Sequence, residues 1–253
     1  MKKIVLRNGE HFYSMRLNKY LAECGVCSRR EADKLIDMGK VQVNGVTASV
    51  GTQVEDSDVV MVNHKPVKRQ EDKVVLAYFK PVGVTCTERD KNAEKTIIEA
   101  LHYPVRVTYA GRLDKDSEGL MIMTNDGDLI EGMMRGANRH EKEYVVKVRK
   151  DITEEFLDSL RKGVYLKELN QTTRPCEVTR IGKNTFRIVL TQGLNRQIRR
   201  MCDTFGYQVH SLKRVRIMNI QLGDLKTGDY RVIQGRERDE LYRAVFGNKG
   251  QKK

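Results

Sequence analysis

Residues 109–129, YAGRLDKDSEGLMIMTNDGDL, press a charged run between two apolar ones. Arg112, Asp114, Lys115, Asp116 and Glu118 fall within seven positions, and glycines at 111, 119 and 127 punctuate the run. The pattern predicts a strand at VRVTYA, a charged loop, and a second strand at LMIMTN. An aspartate in such a loop is usually a turn-former. Asp114 is singled out because a loop between strands can hold a side chain rigidly over a sheet, and because a cation partner exists far away in sequence. On the predicted helix NRQIRRMCDTF, Ile198, Met201, Cys202 and Phe205 form the buried stripe. Arg196 and Arg200 project from the opposite face, toward solvent or phosphate. Arg199 sits beside the stripe, where it can turn partly inward. A half-buried guanidinium cannot shed its charge and needs a carboxylate. A pair between Arg199 and Asp114 would fix that carboxylate in its charged form. The residues alone leave open whether the two meet.

The rest of the chain mixes helices and strands without a regular βαβ rhythm, which predicts an α+β fold. Residues 1–13 are expected to form a flexible basic arm. MRLNKYLAECG reads as a short helix ended by Gly25, and SRREADKLIDMGK as a second. In the second, Ser28 and Glu31 have the spacing of a capping box, and Ala32, Leu35 and Ile36 form the buried stripe. KVQVNGVTAS alternates around Asn44-Gly45, a hairpin signal, and DVVMVN reads as another strand. These elements make a small module over 14–62. HKPVKRQEDK gives a charged linker over 63–73, a larger domain is expected over 74–247, and 248–253 form a disordered tail. Within the larger domain, KEYVVKVRK alternates as a strand, Thr153 caps the helix TEEFLDSLRKG, and CEVTRIGKNTFRIVLTQG turns as a hairpin at 182–184.

Composition narrows the partner. The formal net charge is +13, with 39% hydrophobic and 32% charged residues, which favours a polyanion. No apolar run approaches the ~20 residues a membrane-spanning helix needs, so nucleic acid is preferred to a membrane. The start of the chain lacks the apolar core of a secretory signal. Its five cysteines are expected to be reduced thiols in a cytoplasmic protein. Cys24 and Cys27 form a CxxC, but no second ligand pair accompanies it and the five histidines are scattered singly, so no metal site is expected. Small residues in a helix–turn–helix are the better reading of CGVC. Arg29, Arg30 and Lys34 lie off the apolar stripe of the second helix, as solvated residues or as phosphate contacts.

The stretch RLNKYLAECGVCSRREADKLIDMGKVQVNG resembles the S4 RNA-binding domain, and the resemblance covers 16 to about 62. It implies binding of structured RNA through the basic helix face. GRLDKDSEGLMIMTNDGDL resembles the catalytic motif of the pseudouridine synthases, in the branch typified by RsuA and RluB/E/F. FKPVGV is similar to the first motif of that family, HEKEYVVKV to its tyrosine motif and QGLNRQIRRM to its third. All four occur in the right order, and with the S4-like (αL) module the resemblance spans 16–246. It implies a catalytic domain built on a mixed, mainly antiparallel sheet with flanking helices. One departure is Ser117, where many relatives carry threonine; the hydroxyl is kept. A short tail, compared with relatives carrying long basic ones, puts any tail-dependent RNA contact in doubt.

What the resemblance implies is the isomerisation of uridine to pseudouridine in RNA, with no metal and no organic cofactor. It places the essential carboxylate at Asp114, which either attacks the ribose C1′ or abstracts a ribose proton, and gives Arg199 the task of holding it. Tyr144 would stack on the uracil and assist a late proton transfer from C5. Without the family match, a tyrosine facing the core is the better reading of Tyr144. Arg112 would fill the space vacated by a flipped base or grip the displaced strand, and Lys80 would support the active-site loop or touch RNA. Arg196 and Arg200 are further RNA-contact candidates. Within the branch, RGANRHEKEY and LTQGLNRQIRRMCDTFGY imply a hairpin of large-subunit ribosomal RNA near the peptidyl-transferase centre. A tRNA anticodon loop is a second candidate substrate, and small-subunit RNA or tRNA alone stay open. A monomer is expected. The competing reading is a non-catalytic S4-type ribosome assembly factor. A fragment of an aminoacyl-tRNA synthetase is discarded, because HIGH and KMSKS signatures are missing from the sequence.

Overall fold

A computed structural model describes residues 2–5, 11–69, 72–88, 94–135 and 139–247. The chain divides into two compact units, Met1–Lys73 and Val74–Lys253. In the first, β1 (Lys2–Val5) pairs antiparallel with β2 (His11–Arg16), so part of the segment expected as a loose arm is a hairpin ladder. The helices α1 (Leu17–Glu23) and α2 (Arg29–Asp37) follow. Ser28 accepts from the Glu31 backbone N–H and the Glu31 carboxylate accepts from the Ser28 N–H, which satisfies two donors at the start of α2. The strands β3 (Val41–Val43) and β4 (Val46–Thr47) turn at Asn44 and Gly45, both at positive φ (52° and 81°). Then come β5 (Gln53–Val54), which pairs with β2, and β6 (Val60–Val62), which pairs with β3. Leu17, Leu21, Ala32, Ile36, Val41 and Val60 lie in the core of this unit.

The expected linker begins inside this fold. Strand β7 (Lys65–Pro66) pairs with β6, and the Arg69 guanidinium donates to Glu23 and Asp56. A charged sequence read as solvated is here tied down by carboxylates from earlier in the unit. The expected tail, 248–253, lies outside the described residues.

The second unit is built on a sheet in the order β14-β15-β11-β16-β10-β8-β18. Its members are β8 (Val75–Lys80), β9 (Thr108–Tyr109), β10 (Glu118–Thr124) and β11 (Lys142–Val148). A two-stranded ribbon, β12 (Tyr165–Leu166) and β13 (Gln171–Thr172), interrupts the series. The sheet continues with β14 (Glu177–Gly182), β15 (Thr185–Leu190), β16 (Val209–Ile217), β17 (Ile220–Gln221) and β18 (Tyr230–Val232). Only β10 and β16 run parallel among its described pairings, so the sheet is mixed and mainly antiparallel. VRVTYA yields just the two-residue β9.

Both faces of the sheet are covered. Strand β8 is buried at every position, with Leu76 and Tyr78 toward one core and Val75, Ala77 and Phe79 toward the other. On the first face pack α3 (Ile97–Leu101), α5 (Glu154–Lys162) and α6 (Gln197–Thr204), through Ile97, Phe156, Leu160, Ile198 and Met201. On the other lie α4 (Gly127–Met134) and α7 (Gly235–Phe246), through Leu129, Met133, Leu241 and Val245. Phe205, expected in the buried stripe of α6, is 38% exposed, because the helix ends at Thr204. Its ring meets Phe156 edge-on, with centroids 6.0 Å apart.

Candidate active site

One row of residues crosses five strands on the face that carries the first core. Ile188 pairs with Tyr144, Tyr144 with Arg214, Arg214 with Gly119, and Gly119 with Lys80. Residues directly opposite one another in neighbouring strands share a face. Gly119 has no side chain, so the long cations on either side of it have room beneath the loop that precedes β10. Its φ of +117° and its approach to Arg214 both demand glycine: a Cβ would lie 2.3 Å from the Arg214 carbonyl oxygen.

The loop from Gly111 to Ser117 rests on this floor. Ser117 N–H donates to the Asp114 carbonyl at 3.1 Å, Leu113 N–H to the Cys86 sulfur at 3.4 Å, and Gly83 N–H to the Lys115 carbonyl at 2.8 Å. From below, Arg214 donates to the Arg112 carbonyl at 3.4 Å and to the Leu120 carbonyl at 2.7 Å. Lys80 is fully buried and donates to the carbonyls of Pro81 and Val84, both at 2.8 Å. Burial pushes its ammonium down to about 8. Of the two roles expected for Lys80, loop support fits this position; an RNA contact does not.

The expected pair between Arg199 and Asp114 is not what the structure contains. Arg199 donates to the Asp116 carbonyl at 2.9 Å and the Ser117 hydroxyl at 3.2 Å, and its Nε lies 3.3 Å from the Asp116 carboxylate. Arg196 forks onto that carboxylate at 3.2 and 3.0 Å and reaches Asp114 at 3.9 Å. Partial burial acts to raise the Asp116 carboxyl. The hydrogen bonds and charges of the two arginines outweigh it and hold the group below its ordinary value. Arg196 reaches the loop carboxylates because it precedes the helix, capping α6 in the left-handed conformation, φ 49°, while Arg199, 11% exposed, is the one turned inward. A helical wheel that counts Arg196 as the first helical residue aims it the wrong way.

Above the floor opens a cleft of about 520 Å³. Asp114, Arg112, Tyr144 and Arg196 line it, and Leu190, Ile198 and Leu212 give it apolar wall. Asp114 is the only carboxylate among the described residues lining it. The tyrosine is 8% exposed. At the mouth stand the exposed arginines 135 and 139. Arg200 does not line the cleft; it bonds the Asn195 carbonyl at 3.1 Å and pairs with Glu168 at 2.9 Å. Arg29, Arg30 and Lys34 are exposed in the N-terminal unit, as a basic face requires.

Among the cleft residues that escaped the sequence reading, Lys142 and Arg214 are the cations that stand on strands. Each broke an apolar alternation. Lys142 is in phase with Tyr144, Val146 and Val148, and Arg214 with Leu212. A cation on the buried phase of a strand was the available signal. Burial, with the charge of Arg214, lowers the Lys142 ammonium to about 8.

A cleft with one carboxylate among the described residues, a buried tyrosine and a rim of arginines, over a mixed sheet, is suited to an enzyme acting on a polyanion. A profile described as RNA pseudouridylate synthase matches residues 74–204, and an S4 domain profile matches 15–60. The chain belongs to the RNA pseudouridylate synthase family and converts uridine to pseudouridine in RNA. It is 46% identical to the dual-specificity RNA pseudouridine synthase RluF of Escherichia coli K12, over 92% of this chain and 80% of that one. It is 36% identical to the ribosomal large subunit pseudouridine synthase B of Bacillus subtilis, over 88% and 93% respectively. A crystal structure of a pseudouridylate synthase superposes with a TM-score of 0.67 at 26% identity, covering 91% of this chain and all of that one.

Proposed function

We propose that this enzyme modifies a uridine in large-subunit ribosomal RNA, with a tRNA as second substrate, and that Asp114 is its catalytic carboxylate. The observation that carries the catalytic assignment is that Asp114 is the single carboxylate lining the cleft among the described residues. The name of the Escherichia coli relative, a dual-specificity enzyme, and that of the large-subunit Bacillus relative support the choice of RNA. The hairpin near the peptidyl-transferase centre and the anticodon loop remain the favoured sites within those RNAs. The enzyme works as a cytoplasmic monomer without metal or organic cofactor.

In this reading the target base leaves the RNA stack, at a cost of about a few kcal/mol, and enters the cleft. Its face lies on Tyr144 and its C1′ meets Asp114. Arg196 supplies the countercharge nearest Asp114. Arg199, first expected there, acts one step removed, fixing Asp116 and Ser117 and so the shape of the loop. The N1–C1′ bond breaks while Asp114 either bonds C1′ or takes a ribose proton. The uracil turns, and C5 joins C1′ as Asp114 is released from C1′ or returns the ribose proton; the C5 proton then leaves and N1 gains one, so the product is an isomer and Asp114 is regenerated. Arg112 and the rim arginines hold the phosphates of the displaced strand, and the helix face of Arg29, Arg30 and Lys34 adds affinity outside the cleft.

The test is pseudouridine mapping across ribosomal and transfer RNA from cells lacking the protein, complemented with wild type or Asp114→Asn. The expected result is loss of one large-subunit and one tRNA pseudouridine, restored by wild type alone. Restoration by Asp114→Asn refutes the catalytic assignment; losses confined to small-subunit RNA refute the substrate.

A further inference from the structure

The inner end of the cleft holds two cations that the steps above leave unused. Arg214 is 2% exposed, and its acceptors among the described residues, the carbonyls of Arg112 and Leu120 and the Met121 sulfur, are all neutral. Lys142 donates from Nζ to the His140 carbonyl at 3.2 Å, again a neutral acceptor. Neither forms an ion pair among the described residues, and Asp114, the only carboxylate lining the cleft there, lies nearest Arg196. A buried charge without a counter-ion is costly and persists where something arrives to balance it.

Their placement says what arrives. Side chains alternate along a strand, so Lys142 and Tyr144 share a face, and Arg214 is the cross-strand partner of Tyr144. The two cations therefore bracket the tyrosine, beside the apolar side chains of Leu190, Ile198 and Leu212. Permanent phosphate charges have four exposed arginines elsewhere on this cleft: 112, 135, 139 and 196. The slot beside Tyr144 instead suits a flat, neutral base. That base becomes an anion at one moment only. When the N1–C1′ bond breaks, its electron pair stays with N1, and the charge spreads onto the two carbonyl oxygens of the base.

We propose that Lys142, backed by Arg214, donates to a uracil carbonyl oxygen and carries the negative charge of the uracil as it leaves the ribose. This rests on the placement of uracil at Tyr144 and C1′ at Asp114. It makes Lys142 a catalytic residue of the electrostatic kind: a fixed donor aimed where charge develops. Arg214 is a positioning residue, which ties the loop carbonyl of Arg112 to the strand carbonyl of Leu120. When the C5–C1′ bond forms, the ring loses its charge, and Lys142 returns to its His140 contact with no net proton change.

The experiment uses the full chain, with Lys142→Gln and Lys142→Arg, under single turnover at saturating RNA. The substrate is an RNA hairpin carrying uridine or 5-fluorouridine at the target position. Fluorine withdraws electrons, so the fluorinated base leaves with less help. Lys142→Gln is expected to slow glycosidic cleavage of the uridine RNA about 10²-fold, the scale of one lost oxyanion donor, and that of the fluorinated RNA no more than about tenfold. Lys142→Arg keeps a cation and stays within about tenfold on both. RNA affinity stays within about threefold. Equal losses on the two RNAs, or a loss of affinity with the saturated rate intact, overturn the proposal in favour of a structural or phosphate-binding lysine. Should Lys142→Gln fail to fold, Lys142→Met, nearer in length and apolarity, is read by the same ratio. An active Asp114→Asn would refute the placement of C1′ separately, because the fluorine ratio reads the departing base alone.

Discussion

Gly119→Ala is the sharpest test of how the floor of the site is made. The substitution meets two independent obstacles. The backbone sits at φ +117°, where an L side chain is strained by about 1–3 kcal/mol. The new methyl would also lie 2.3 Å from the oxygen and 2.6 Å from the nitrogen of Arg214, both backbone atoms of the neighbouring parallel strand. Relief requires β10 and β16 to part by roughly 1 Å, at an overpacking cost of about 1–3 kcal/mol. The sum is about 2–6 kcal/mol, or a fall of roughly 5–20 °C in the melting of the catalytic unit. The chain has no tryptophan, so melting is followed by far-UV circular dichroism and calorimetry. Gly132→Ala is the control. Its Cβ would lie as close to another atom, 2.3 Å from Val245, but that atom belongs to a side chain at a helix–helix contact. Alanine also favours the helix by about 1 kcal/mol, so the net loss should stay below about 2 kcal/mol. If Gly119→Ala melts within 2 °C of wild type, or no lower than Gly132→Ala, the close approach of the strands does not carry the weight given to it here.

Asp116→Asn should lower the saturated rate about tenfold, because Arg196 and Arg199 lose the carboxylate that orients them; an unchanged rate would show the loop is set by other contacts. The Asp116 carboxyl is depressed in the folded state, so its contribution to stability is present above its unfolded value and lost as pH falls through the folded one; acid titration of the melting temperature should lose that limb in the variant. The Lys80 ammonium is lowered to about 8, so between about pH 8 and its ordinary value the unfolded chain binds more protons. Wild-type stability in urea should therefore rise over that window relative to Lys80→Met; a parallel pair of curves would contradict the burial. Replacing Arg29, Arg30 and Lys34 with glutamine should flatten the salt dependence of RNA binding by about 2–3 logarithmic units of slope while the saturated rate stays put. A rate that falls to the level of Asp114→Asn would mean the N-terminal module helps build the active site.

The features legible in the sequence were those fixed by neighbours. The capping box at Ser28 and Glu31, the hairpin at Asn44-Gly45 and the Thr153 cap each need only a few consecutive residues. The structure contains all three. Helix α7 and the pairing of β18 with β8 were missed, because a charged segment such as GRERDELYRAVF is organised by packing on a distant sheet. So was α3, although Thr96 and Glu99 carry a capping box. At the site, the charged loop and the place of Asp114 in it were readable, but the arginine nearest its carboxylate was not. One left-handed residue at position 196 decides which arginine comes nearest Asp114, and sequence periodicity does not report that turn.

The order in which the floor is laid down has a consequence for synthesis. Strand β10 meets β8 and the short β9 as soon as it is made, but its other main neighbour is β16, and Arg214 reaches Leu120 across 94 positions of chain. A ribosome adding about 5–20 residues per second needs roughly 5–20 s to bridge that interval. Through that time the nascent protein carries Asp114 on a loop with nothing beneath half of it. Chemistry is therefore switched on late, and a chain released short of β16 would hold every residue of the catalytic motif and remain inert.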